Sequence, residues 1–104
     1  MKRVAFKMKL KPGWENEYKF RHDHIWPELK KALTEAGIRE YSIFLDTETN
    51  TLFAIQKLTE DNSIENLPQK EIMKKWWDYM KNLMETNPDN SPLTFPLVEV
   101  FHMD

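Results

Sequence analysis

Phe6, Met8 and Leu10 alternate with Lys7 and Lys9, a period of two that predicts a first strand with one buried and one wet face. Pro12-Gly13 turns the chain, and Trp14 to Phe20 carries helical character. Pro27 disfavours helical geometry at Trp26 and lacks an amide donor, so a kink or restart is expected there. A second helical segment follows from Glu28 to Ala36, with Leu29, Ala32 and Leu33 on one face and Gly37 placed to close it. Ile38 to Leu45 reads as a strand with Tyr41, Ile43 and Leu45 on one side and Ser42 and Phe44 on the other. Asp46 to Asn50 is a polar hairpin connection into a third strand, Leu52 to Leu58. Asp61-Asn62-Ser63 offers caps to a short segment that Pro68 interrupts. From Glu71 to Met84 the positions Ile72, Met73, Trp76, Trp77, Met80, Leu83 and Met84 form a wide apolar stripe at helical spacing. Asn87 to Pro92 must be a loop, and Val98, Val100 and His102 alternate with Glu99 and Phe101 as a last strand.

The order strand, helix, strand, strand, helix, strand predicts an α+β, ferredoxin-like βαββαβ arrangement, an antiparallel sheet with two helices on one face. Residues 1–104 make one domain. The uncovered sheet face must meet a ligand, a partner sheet or water. Aromatic residues at 12% and six Met are a heavy apolar supply beside 31% charge, which predicts that part of it faces a second copy of the chain.

Net charge is −2 and the basic residues are dispersed, so there is no electrostatic footprint for nucleic acid. The absence of cysteine removes disulfides, thiolate metal sites and thiol nucleophiles. Neither a signal peptide nor a stretch of transmembrane length is legible, so the expected setting is cytoplasmic, without a membrane partner.

Chemistry concentrates in two stretches. Tyr18 and His22 lie one turn apart and share a helical face, with Trp26 a turn further on. Burial would lower the imidazole pKa and a nearby carboxylate would raise it, and either way His22 can act as acid or base. His22 and His24, two apart, diverge by roughly 200° on a helix, so no metal site is expected and His24 is read as a solvated surface residue. His102, at a strand end, either points at the pocket or packs. Trp76 and Trp77 face about 100° apart, so one can lie in the core while the other lines a pocket rim. An indole face suits the C–H patch of a sugar and its N–H suits a hydroxyl. Tyr18 and Tyr41 could also donate to hydroxyls, although Tyr41 alone reads as an ordinary strand aromatic. Asn87 to Ser91 is rich in groups able to bind hydroxyls, or is simply a capped turn. With two glycines and no nucleophile elbow, phosphoryl and acyl transfer find no support.

Tyr18, Arg21-His22, Ile25 to Leu29, Tyr41 to Leu45, Trp76 to Met80, Asn87 to Pro92 and Glu99 to His102, in this order and spacing, resemble the L-rhamnose mutarotase family from Arg3 to the C-terminus. The resemblance implies a cytoplasmic homodimer, of the dimeric α+β barrel type, that interconverts the α and β anomers of L-rhamnose without metal or cofactor. It places the family's proton donor on His22 and its sugar-binding positions on Tyr18, Tyr41, Trp76 and Trp77. The segments Asp23-His24 and Asn62 to Ile72 match less closely. Two other readings suit the same residues: a cofactor-independent or haem-handling monooxygenase of the same dimeric type, and a non-catalytic sugar-binding module.

Overall fold

A computed structural model describes all residues, 1–104. Strand β1 (Lys2–Lys9) is followed by helices α1 (Glu15–Asp23) and α2 (Pro27–Glu35) and the hairpin of β2 (Ile38–Asp46) and β3 (Thr51–Leu58). A 3₁₀ segment (Ile64–Gln69) leads into α3 (Glu71–Met80), a second 3₁₀ turn (Lys81–Leu83) and a short β4 (Phe95–Leu97). The sheet order is β2-β3-β1-β4, every neighbouring pair antiparallel. This is the expected ferredoxin-like arrangement.

The period of two sorts the sheet into two faces. Met8 opposes Leu52, and Leu52 opposes Leu45. Phe6 opposes Ala54, and Ala54 opposes Ile43. This face packs against the helices, where Leu10, Leu29, Leu52 and Leu83 are all but sealed from solvent. The other face carries Phe44 beside Phe53, Ile55 beside Ala5, and Phe95 and Leu97 on β4. No helix covers it, and Phe44 is 62% exposed.

At Pro27 the chain restarts rather than kinks. Trp26 is extended (φ −62°, ψ 132°), and Pro27 opens α2 at a position whose amide would be unpaired in any helix. Gly37 closes α2 at φ +100°, where its carbonyl accepts the Thr59 amide at 2.9 Å and its Cα faces the Thr59–Asn62 turn. The first helix runs to Asp23, so Tyr18 and His22 share it as expected, and it ends ahead of the Trp26-Pro27 step.

Two expectations are corrected. The stripe from Glu71 to Met84 is not one helix: α3 stops at Met80, and Met84 is extended, bridging Leu10 while Leu83 accepts the Lys11 amide. Apolar periodicity persists through the break because the strand-like residues still face the same core. The last strand is Phe95–Leu97, not Val98 to His102. Beside β1 the chain pairs Lys7 with Phe95 and Ala5 with Leu97. It then runs out of ladder, and the Arg3–Glu99 ion pair at 2.9 Å is its side-chain attachment beyond that point. Val98, Val100 and Phe101 are left 85%, 91% and 78% exposed.

Candidate active site

Helix α1 buries little besides Tyr18 and has no side-chain N-cap, so its position depends on anchors. Glu17–Arg21 and Lys19–Asp23 pair one turn apart at 2.7 and 2.8 Å. Arg21 also donates to the Tyr79 carbonyl and lies 4.2 Å from the centre of the Tyr79 ring. These contacts tie α1 to α3 and fix where Tyr18 and His22 stand relative to Trp76.

The imidazole of His22 is stacked on the Tyr18 ring at 4.2 Å and meets the Trp76 ring edge-on at 5.4 Å. Its Nδ1 lies 3.0 Å from the Tyr18 carbonyl oxygen. A carbonyl only accepts, so Nδ1 carries the hydrogen and Nε2 is the nitrogen that titrates. Burial pushes the His22 pKa below its ordinary value, against the opposing pull of the Tyr18 carbonyl and Asp23. Burial likewise pushes the Tyr18 phenol far above its usual range, so it stays protonated as a hydrogen-bond donor.

Tyr41 reaches the same space through a bulge. Arg39 pairs with Lys57 and Ser42 with Ile55, so Glu40 and Tyr41 together oppose Gln56. Glu40 takes up the extra residue at φ +46° and pairs with Lys57 at 2.9 Å. Tyr41 is 39% exposed, and burial of its phenol pushes its pKa up, against the pull of buried Gln56 beside it.

On α3, Trp76 is buried and held edge-on by Trp26 at 5.0 Å, while Trp77 is half-buried. Trp76 thus belongs to the core and Trp77 to the rim, and both indoles line the cavity. That cavity is open at its mouth, and the roughly 440 Å³ of empty space within its bounds includes open solvent. Its mostly apolar lining with a few polar groups suits a small ligand. Tyr18, His22, Tyr41, Trp76 and Trp77 all stand on its wall, joined by methionines and by Lys81 and Asn90. No carboxylate does.

A sequence profile of the L-rhamnose mutarotase family matches residues 3–103. A curated L-rhamnose mutarotase of Phocaeicola vulgatus is 59% identical over 104 residues, covering the whole of both chains. The chain belongs to the L-rhamnose mutarotase family. The crystal structure of an L-rhamnose mutarotase from Formosa agariphila superposes on it with a TM-score of 0.92 at 56% identity, again over the whole of both chains. A Mycobacterium tuberculosis protein shares the fold alone, with a TM-score of 0.56 at 13% identity.

The five positions marked by resemblance to this family come from three separate elements and converge on one cavity. The other histidines do not join them. His24 is exposed and its Nδ1 donates to the Phe20 carbonyl at 2.9 Å. His102 neither points at the pocket nor packs: it is exposed and contacts Asp104. Sequence reasoning missed Lys81, which follows Trp77 by four residues and so belongs to its face. It missed Arg21 and Gln56 as supports for His22 and Tyr41, because both act through contacts distant in the chain.

Proposed function

We propose that this chain, as one domain over residues 1–104, is an enzyme that interconverts the α and β anomers of L-rhamnose by assisted opening and closure of the pyranose ring. The observation that carries the reading is one imidazole with its Nδ1 fixed and its Nε2 free, on the wall of an open cavity lined by aromatic side chains. Family membership supplies the substrate class.

Ring opening breaks the C1–O5 bond and makes C1=O1, so a proton must reach O5 and another must leave the anomeric hydroxyl. In this reading the His22 imidazolium gives its Nε2 proton to O5. Its lowered pKa makes that acid scarcer at neutral pH but stronger once formed. A water takes the proton from O1, since Tyr18 stays a neutral phenol and no carboxylate lines the wall. Rotation about C1–C2 and reversal of both transfers give the other anomer. Trp76 and Trp77 hold the ring and its methyl group, while Tyr18 and Tyr41 bind hydroxyls. No metal or cofactor is required for these steps. The test is saturation-transfer NMR of α/β exchange in L-rhamnose. Faster exchange with the protein than without it supports the reading, and an unchanged rate with folded protein defeats it.

The same reading includes a cytoplasmic setting and a homodimer. Uncovered Phe44, Ile55, Phe95 and Leu97 on one sheet face support the second copy, as does a C-terminal segment with a strand's alternation and no ladder. Burying such apolar surface is worth about 25 cal/mol per Å². Analytical ultracentrifugation should show a dimer, and Phe44→Glu with Ile55→Lys should shift it to monomer. A wild-type monomer would refute the assembly.

A further inference from the structure

The loop Asn87-Pro88-Asp89-Asn90-Ser91-Pro92 is more tightly specified than a connection needs to be. The Asn87 amide donates to the Ser91 carbonyl at 2.7 Å, and the Asn87 side chain donates to Ser91 Oγ at 3.0 Å. Asp89 Oδ1 accepts the Ser91 amide at 3.0 Å. Inside this frame Asn90 adopts φ +71°, a left-handed conformation that glycine accepts most readily and asparagine tolerates. The position therefore keeps a side chain where none would be the easier choice.

That side chain is oriented from outside the loop. Asn90 Nδ2 donates to Asp78 Oδ1 at 2.8 Å. A carboxylate only accepts, so the amide cannot flip, and Oδ1 is the end held away from Asp78. Asn90 is also part of the cavity wall, whereas Asp78 is not. Beside the indoles and Lys81, which offer N–H donors, and the tyrosine hydroxyls, which rotate, an amide oxygen supplies an acceptor of fixed direction. A sugar hydroxyl needs one to receive its hydrogen.

We propose that Asn90 is a substrate-binding residue whose Oδ1 accepts a hydrogen bond from one hydroxyl of the sugar, and that Asp78 is the positioning residue that aims it. This rests on the mutarotase reading above. Asn90 then acts on sugar recognition, and His22 remains responsible for the proton transfer.

Asn90→Gly is an apt variant because glycine accepts the backbone conformation while the amide is lost. With exchange NMR at varied L-rhamnose concentration, its KM should rise about fivefold to tenfold with kcat within about twofold, as for one neutral hydrogen bond. Asp78→Ala should raise KM about threefold, and should add nothing in an Asn90→Gly background. Among monodeoxy analogues of L-rhamnose, the one lacking the contacted hydroxyl should show the same KM with wild type and Asn90→Gly. A loosened loop would instead raise KM for every analogue and would overturn the proposal. An unchanged KM in Asn90→Gly, or an Asp78→Ala effect that survives in the double variant, would also overturn it. A wild-type protein that fails to accelerate exchange would defeat the mutarotase reading itself, separately from these outcomes.

Discussion

His22→Gln is expected to lower the catalysed rate of anomer exchange by about 10²- to 10⁴-fold, the usual contribution of a positioned general acid or base. Spontaneous mutarotation sets the floor, so the residual rate should approach that of the sugar alone. Glutamine has similar reach and can still donate to the Tyr18 carbonyl, which now fixes His22 Nδ1 at 3.0 Å. It cannot carry a proton between donor and acceptor. Near-wild-type exchange by a folded His22→Gln protein would remove His22 from the mechanism. The same variant has a thermodynamic signature. Burial lowers the His22 pKa in the folded state, so between that value and the unfolded value of about 6.5 the unfolded chain binds more protons. The stability linked to neutral His22 is complete above the unfolded pKa and is lost as pH falls through the folded one. In His22→Gln this share of the acid loss should vanish, visible as a shallower fall in melting temperature below pH 6.5.

The largest effect on stability is expected at Gly37. A Cβ there would collide with Thr59 Oγ1 and lie 2.7 Å from Asn62 Cβ and 2.9 Å from Asn62 Cα, at a φ of +100° that L-residues rarely adopt. The Thr59 hydroxyl could rotate away, but the Asn62 backbone is held by its own bond to the Thr59 carbonyl at 3.2 Å. Backbone strain and overpacking together should cost about 3 kcal/mol in Gly37→Ala. That corresponds to a melting temperature roughly 15 °C lower for a domain of this size. Gly13→Ala is the internal comparison. It shares the positive φ, at +87°, but a Cβ there meets nothing within 4 Å, so only the conformational cost of about 1 kcal/mol applies. Equal melting temperatures for the two variants would show that the Thr59–Asn62 turn yields freely.

The elements with a strong period were legible in the sequence, and so was the fold they compose. Phe6, Met8 and Leu10 alternate because one face of β1 is covered, and the Trp26-Pro27 step marks a true helix boundary. At the C-terminus, Val98 to His102 has the composition of a strand but not its hydrogen bonds, because pairing depends on a free edge and sequence patterns report only faces. Tyr18, His22, Trp76 and Trp77 were legible from residue type and spacing, whereas Tyr41 was marked only by the family resemblance. Lys81 was not singled out, and Asn90 was marked only as part of a loop able to bind hydroxyls. A lysine after a helical stripe and an asparagine in a turn are commonplace, and only the return of the loop against Asp78 brings Asn90 to the wall. The bulge left a faint trace. Ile38 and Ile43 both face the helices though five residues apart, an odd separation that strict alternation forbids.

That odd separation divides the hairpin into regions that respond differently to insertion and deletion. A residue gained or lost between Asp46 and Thr51 alters an exposed turn and its bonds to Lys9 and Leu10, and leaves the faces of both strands as they are. One lost between Arg39 and Ser42 restores regular alternation and leaves Ile38 and Ile43 on the helix-facing side, but it removes the bulge through which Tyr41 reaches the cavity. Changes of chain length in this family should therefore gather at the hairpin tip, and the stretch before Tyr41 should keep its count of residues even where their identities drift.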